Sequence, residues 1–338
     1  WAQRWTIHQH RASLYHLGAE GRKVISERLA MGGLLQVRHQ HSRASDEWDS
    51  TTHPGFQAVG APLDPLPHVP FAYDDTETSP TGSLWLKYTI NPNQKLRLKA
   101  SYSVELPVYA DRRAVSGGSP NRGPLSVSGN RLSPQIARGL ELVHSARLDR
   151  FDTHLACYAN FLKDEILRGR TESGADRALN APRTRHLGIE ARVGTTLETV
   201  SGKWRLEWTS WFIEARFRDH PIYADGSIAG IPESEHRASL KWNSHDNSLS
   251  AYLDAGWIPE GIPVDNAGTS RSPAYALFDL GMQWHLNEQW RLQATCNNVL
   301  DRTHVSMVIV RDRVAAPIQA NFLPGSGRSW SLSVRRYW

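Results

Sequence analysis

Trp290-Arg291-Leu292-Gln293-Ala294-Thr295-Cys296-Asn297-Asn298 sets Trp290, Leu292, Ala294 and Cys296 on one parity and Arg291, Gln293, Thr295 and Asn297 on the other. Successive side chains of a strand point to opposite faces, so strict alternation describes a strand with a different solvent on each side. The polar face meets water, and the fold turns on what the apolar face meets.

The pattern recurs along the 338 residues. Leu96, Leu98, Ala100, Tyr102, Val104 and Leu106 oppose Lys95, Arg97, Lys99, Ser101, Ser103 and Glu105. Leu187, Ile189, Ala191, Val193 and Leu197 oppose His186, Glu190, Arg192 and Thr196, and Phe278, Leu280, Met282 and Trp284 oppose Asp279, Gln283 and His285. Such segments predict strands at 4–17, 24–41, 82–91, 95–106, 136–149, 153–167, 184–198, 203–218, 235–244, 248–259, 274–287, 289–303 and 328–338.

The connections alternate between two kinds. Short turns fall at Gly18–Gly21, Asn91–Gln94, Asp149–Asp152, Thr199–Lys203, Ser244–Asn247 and Asn287–Gln289. Long polar loops fall at about 42–81, 107–135, 168–183, 219–234, 260–273 and 304–327. Up-and-down strands with tight turns at one end and long loops at the other describe an all-β, antiparallel transmembrane barrel of the outer-membrane kind.

A soluble sandwich would also alternate, with its apolar face packed on a second sheet. The predicted strands, however, exceed the five or six residues usual in globular sheets. Trp204, Trp257, Trp284, Trp290, Trp330 and Trp338 gather near strand ends, where an interfacial aromatic girdle would lie. Charged residues run the full length of the opposite parity, which suits a wide, wet or plugged lumen.

The totals agree. Thirteen Trp, 19 Pro and 25 Gly favour turns and aromatic surfaces over helix. No apolar run is long enough for a transmembrane helix, yet barrel strands need only about ten alternating residues, which keeps mean hydropathy low. The balance of 39 basic to 34 acidic residues is spread along the chain, so a nucleic-acid partner is not expected. Cys157 and Cys296 both hold apolar parity and read as free thiols.

Pro273-Ala274-Tyr275-Ala276-Leu277-Phe278-Asp279-Leu280, the 290–297 strand and then Asn298-Val299-Leu300-Asp301-Arg302-Thr303-His304 resemble the C-terminal region of TonB-dependent outer-membrane receptors. In that family an aromatic-hydrophobic-Asp strand precedes an Asn-Leu-Phe-Asp-x-x-Tyr signature. Pro324-Gly325-Ser326-Gly327-Arg328, followed by Trp330, Leu332, Val334 and terminal Trp338, is similar to the family's Pro-Gly-Arg loop and final strand. Leu132-Ser133-Pro134-Gln135 with Gly139-Leu140-Glu141-Leu142, and Gly188-Ile189-Glu190, also resemble family stretches. Val299, Leu300 and His304 depart from the signature, and Arg336 interrupts the apolar parity of the last strand.

The resemblance implies a 22-stranded barrel in the bacterial outer membrane, of which residues 1–338 supply about 13 strands. It implies an N-terminally truncated fragment, without the plug domain and signal peptide. Its implied partners are outer-membrane lipid, the plug, TonB and a metal chelate such as a siderophore, haem or cobalamin. The alternative is a smaller outer-membrane porin or enzyme; no nucleophile elbow, phosphate loop or paired carboxylates support catalysis, and no cofactor is expected.

Ligand capture in such a receptor involves extracellular loops. Tyr109 with Arg112 and Arg113, and His220 with Tyr223, combine cationic and aromatic groups on long loops, which suits anionic or aromatic chelates. His8-Gln9-His10 and His39-Gln40-His41 invite a metal reading, but a turn near Ala19 would set His8 and His10 deep in the strand and pair His39 and His41 with its far end. Asn298, Asp301, Arg328 and Trp338 read as structural, the first two shaping a strand's exit into its loop. Glu190 and Glu207 are expected to pair with Arg192 and Arg205 or to meet the plug.

Overall fold

A computed structural model describes residues 9–46, 71–108, 113–116, 126–129, 132–170, 176–311 and 322–337. Thirteen strands form one antiparallel up-and-down sheet in sequence order. They are β1 (Gln9–Val24), β2 (Leu29–Asp46), β3 (Phe71–Asn91), β4 (Gln94–Glu105), β7 (Gln135–Leu148), β8 (Phe151–Arg170), β9 (Asp176–Thr199), β10 (Gly202–Phe217), β11 (Ser234–Asn243), β12 (Leu249–Ile258), β13 (Tyr275–His285), β14 (Trp290–Asn297) and β17 (Ser329–Arg336). Two small hairpins sit in long loops, β5 (Arg113–Ser116) with β6 (Ser126–Gly129) and β15 (Val305–Val308) with β16 (Phe322–Pro324). Among the described residues β1 and β17 are the outer strands and do not pair with each other.

Register makes the apolar parity continuous. Met31, Leu86, Leu98, Leu142, Cys157, Ile189 and Phe212 lie side by side across seven strands. Leu206, Leu240, Leu253, Leu280, Cys296 and Trp330 continue this face to the other edge. The apolar side chains of the first row are 41–48% exposed where their values are given. Full burial of such a side chain is worth roughly 1.5–3 kcal/mol, so a bare row of this length is untenable in water and neutral in hydrocarbon. Near the short-turn end Trp204 and Trp242 lie 6.1 Å apart, and toward the long loops Trp208 packs edge-on against Trp257 at 4.8 Å. Both thiols are free and lie on this face.

The inner face carries ion pairs at Arg97–Glu141 (2.7 Å), Arg205–Glu207 (3.0 Å) and Arg147–Asp152 (2.9 Å). The expected Glu207 pair therefore forms, whereas no Glu190–Arg192 pair is found among the described residues. Two glycines on this face let tyrosines lie flat across the neighbouring strand. A Cβ on Gly188 would meet Tyr158 at 2.1 Å, and one on Gly281 would meet Tyr252 at 2.1 Å.

Most short turns fall where the sequence places them, and side-chain acceptors build them. Asn91 Oδ1 accepts from the Asn93 N–H (2.9 Å), and Asn287 Oδ1 accepts from Gln289 (2.9 Å) and Trp290 (3.0 Å). Such Asx turns mimic a backbone turn. Asp149 and Asn247 supply left-handed residues at φ 54° and 55°.

Three expectations need correction. The first turn is not Gly18–Gly21, which lies inside β1 with Gly21 opposite Gly33; it is 25–28, closed by the Ser26 hydroxyl accepting from the Leu29 N–H at 3.2 Å. The hairpin register shifts accordingly, so His39 faces Tyr15, His41 faces Ser13 and His10 faces Ala44. His10 therefore shares the long-loop end with His39 and His41 instead of lying apart from them. The loop at 42–81 is also shorter than expected, because β2 reaches Asp46 and β3 begins at Phe71.

Strands of up to 24 residues overhang the roughly ten needed to cross hydrocarbon. In β8 the alternation reverses at Asp164, a left-handed residue at φ 56°. Beyond it, Glu165 turns inward to accept hydrogen bonds from Thr184 and His186.

These packing differences predict opposite signs for two glycine-to-alanine changes. Gly256→Ala meets nothing within 4 Å and should stabilise by about 0.5–1 kcal/mol through reduced backbone entropy. Gly188→Ala must displace Tyr158 and should destabilise by roughly 1–3 kcal/mol. Urea midpoints of the detergent-folded chain measure both; equal shifts would remove the role given to the tyrosine.

Candidate functional site

The loop between β10 and β11 grows from a small inner core. Phe217 is 1% exposed and packs with Ala181, Ala215 and Ile228. Its ring supports His220 (4.9 Å) and Tyr223 (5.1 Å), and those two stack on each other at 4.7 Å with 24° between planes. His220 Nδ1 accepts from the backbone N–H groups of Ile222 and Tyr223, both at 3.2 Å. Because both partners are donors, Nδ1 carries no proton, and the neutral tautomer has its hydrogen on Nε2. Backbone bonds His220–Ala224 (3.1 and 2.9 Å) close the loop.

His220 and Tyr223 are thus brought together, with the imidazole committed on one side to shaping its own loop. Tyr109 and Arg112 lie outside the described residues. Arg113 opens the hairpin of β5, which touches β9 through the Val115–Asp176 pair. His39 Nδ1 bonds Thr78 (2.9 Å), and His41 Nδ1 bonds Thr76 (2.9 Å) with Asp74 at 3.5 Å. His8 lies outside the described residues; among those described, no three His, Cys, Asp or Glu side chains converge as a metal site.

Sequence reading missed a cavity of about 260 Å³ on the inner face, lined by Trp211, Ile213, Pro232, Glu235 and Arg237. Arg237 lies 5.4 Å from the centre of the Trp211 ring while its guanidinium pairs with Glu235 at 2.7 Å. An indole face, a carboxylate and a cation therefore line one open hollow near the long-loop end. Parity alone could have assigned Trp211 to the lumen, since Thr209 and Glu207 share its face.

Beside it, Glu233 pairs with Arg271. Burial acts to raise the Glu233 carboxyl, but hydrogen bonds with Arg271 and Glu260 and the charges of Arg271 and Arg216 outweigh it, so its pKa lies below the ordinary value.

The C-terminal motif forms one network. Asn298, at φ 50° and 4% exposed, donates its backbone N–H to Asp279 Oδ1 (2.7 Å). Its side chain donates to the carbonyls of Arg302 (2.8 Å) and Ser326 (3.2 Å) and accepts from the Arg302 N–H (2.9 Å). Asp301, at φ 52°, accepts from the Arg328 N–H at 2.8 Å. Asparagine and aspartate tolerate left-handed backbone better than other non-glycine residues, which explains both types here. Trp338 lies outside the described residues. Arg336, the interruption in the last strand, sits over the Trp290 ring at 5.5 Å, so its stem covers apolar surface while its charge is held by the indole.

Sheet, girdles, inner ion pairs and alternating turns define a transmembrane β-barrel wall. The family described as TonB dependent receptor-like, beta-barrel matches residues 33–299, and the chain belongs to it. No curated protein matches in sequence. Among solved structures, the ferric yersiniabactin uptake receptor FyuA from Yersinia pestis superposes at TM-score 0.72 and 13% identity, covering 97% of this chain and 46% of that one. The ferric-catecholate import receptor Fiu from K12 E. coli gives 0.69 at 16% identity, covering 97% and 45%. The copper transporter OprC gives 0.67 at 17%, covering 96% and 48%. At these identities the likeness is one of fold, and the chain spans less than half the length of each of the three.

Two outcomes follow. Burial holds the His220 pKa below its ordinary 6.5, so between the two values the unfolded loop binds more protons than the folded loop and stability rises with pH. Loop order is therefore lost as pH falls from 6.5 through the folded value, and proteolytic nicking at 219–225 should accelerate there; His220→Ala should abolish that pH dependence. Asn298→Ala leaves buried backbone groups unsatisfied in left-handed backbone and should cost roughly 2–4 kcal/mol, read as a lowered urea midpoint.

Proposed function

We propose that this chain is the C-terminal part of the barrel wall of an outer-membrane receptor that imports a metal chelate such as a siderophore, haem or cobalamin with energy delivered through TonB. The barrel then has 22 strands, and the 13 strands described here work with a plug domain in the lumen. Coverage of under half of three solved transport proteins supports this reading. The names of those proteins speak of ferric-chelate uptake or copper transport, which supports a metal-bearing cargo.

The observation that carries the proposal is the inner-face hollow, where Arg237 lies over Trp211 beside Glu235. A guanidinium and an indole face recognise anionic and aromatic groups, the chemistry of a chelate's ligand arms. On the loops above, Tyr109, Arg112, Arg113, His220 and Tyr223 are the proposed outer contacts.

The test is made in the full-length protein that carries this wall. A growth and binding screen with different iron, copper and cobalt chelates first identifies the cargo. Trp211→Ala and Arg237→Gln should then each weaken its binding about tenfold, equivalent to about 1.4 kcal/mol, in barrels that remain heat-modifiable. Unchanged affinity in both variants removes the inner-face site, and a protein that binds none of the chelates removes the receptor reading.

A further inference from the structure

The outward face changes character at the long-loop end. Two same-face rows above the exposed apolar row, register places Leu35, Gly82, Tyr102, Arg138, Phe161, Arg185 and Arg216 side by side, with aromatics interleaved among arginines. One step further out, Lys163 pairs with Arg183, whose carbonyl accepts from the Arg218 N–H at 3.0 Å. Six cations therefore crowd the outer face of four adjacent strands.

Like charges directly opposite on neighbouring strands destabilise a sheet, and Arg185–Arg216 and Lys163–Arg183 are such pairs. Glu214 offsets the first, lying 3.1 Å from Arg185 and 2.6 Å from Arg216. Asp164 lies 3.9 Å from Lys163 and Asp225 3.9 Å from Arg218. Glu233, within electrostatic reach of Arg216, is taken by Arg271. Six cations against Glu214, Asp164 and Asp225 leave an excess of three positive charges. The side chains of Arg138 and Arg183 are exposed and carry no hydrogen bond or ion pair among the described residues.

We propose that this face binds the phosphate groups of an anionic lipid in the outer leaflet, with the acyl chains lying on the apolar rows below. The inference rests on the reading that the sheet spans that membrane. Guanidinium matches phosphate in a bidentate fork, and a long aliphatic stem carries the charge from hydrocarbon depth to headgroup level. Tyr102 and Phe161 give the sugar or glycerol end of a lipid flat surfaces between the cations. A soluble protein partner is disfavoured because the patch is continuous with the lipid-facing row below it.

The full-length protein that carries this wall is inserted into phosphatidylcholine vesicles doped either with diphosphoryl lipid A or with the same lipid stripped of phosphate, extracted in neutral detergent, and its retained lipid read by native mass spectrometry. Wild type should retain the phosphorylated lipid roughly tenfold over the stripped one, the scale of one charge-assisted pair. Arg138→Gln with Arg183→Gln should abolish that preference, Arg138→Lys with Arg183→Lys should leave part of it, and Arg192→Gln, which removes a charge from the inner face, should leave all of it. Equal retention of the two lipids by wild type overturns the proposal whatever the variants do. So does a preference that survives the Arg138/Arg183 glutamine pair, or that Arg192→Gln lowers as far. A full-length protein that never enters the vesicles fails earlier and overturns the membrane reading itself.

Discussion

In hydrocarbon, a backbone N–H or C=O has no water to fall back on, and each unsatisfied group costs several kcal/mol. The whole arrangement depends on that constraint. Every strand of the sheet but the outer two is bonded on both sides, and the side-chain pattern of each follows from having lipid on one face. Cross-strand register then matters as much as alternation, because a slip of one residue would bring Arg97, Glu141 and Glu190 outward in place of Leu98, Leu142 and Ile189. The same constraint speaks about the two edges. β1 and β17 both run from the long-loop end toward the short turns, so antiparallel closure needs an odd number of strands between them. A second copy would pair like-directed strands at both seams, whereas nine further strands would close a barrel of 22.

The alternation and the order of loops and turns were legible because they repeat a two-solvent pattern that no tertiary contact overrides. Ser244–Asn247 and Asn287–Gln289 were legible for a second reason, since their turn chemistry is carried by their own side chains. Gly18–Gly21 misled because glycine marks both turns and strand positions where chains come close, and only pairing with β2 distinguishes them. Asp164 was invisible: a single left-handed residue reverses parity inside β8, and nothing in an apolar–polar pattern announces it. Arg336 breaks the pattern in the sequence, and only the fold supplies its reason, the Trp290 ring beneath its guanidinium.

The candidate site divides along the same line. The five loop residues share a chemical type suited to a chelate, and type alone does not say what a side chain is occupied with. His220 has the right chemistry for a ligand contact, yet its Nδ1 is spent on two backbone N–H groups. Trp211 and Arg237 were hidden by the opposite error, because tryptophan in a barrel reads as girdle unless its parity is followed inward. The sequence holds both facts, but the first needs three-dimensional contacts and the second only a count by twos.

Sequence departures at the C-terminal motif show which parts of such a motif the fold demands. Val299 and Leu300 depart from the signature at positions whose side chains make no hydrogen bond in the turn, while His304 adds a contact of its ring to the Arg302 carbonyl at 3.3 Å. Asn298 and Asp301 are retained where the backbone is left-handed and where the Asp279 carboxylate and backbone groups of Arg302, Ser326 and Arg328 converge. Such a junction joins β14 to its long loop at the rim, where the sheet's own hydrogen bonds stop and each freed backbone group needs a new partner. Two short polar side chains supply those partners without adding bulk, so the requirement for them is stereochemical and holds whatever cargo the loops above are built to catch.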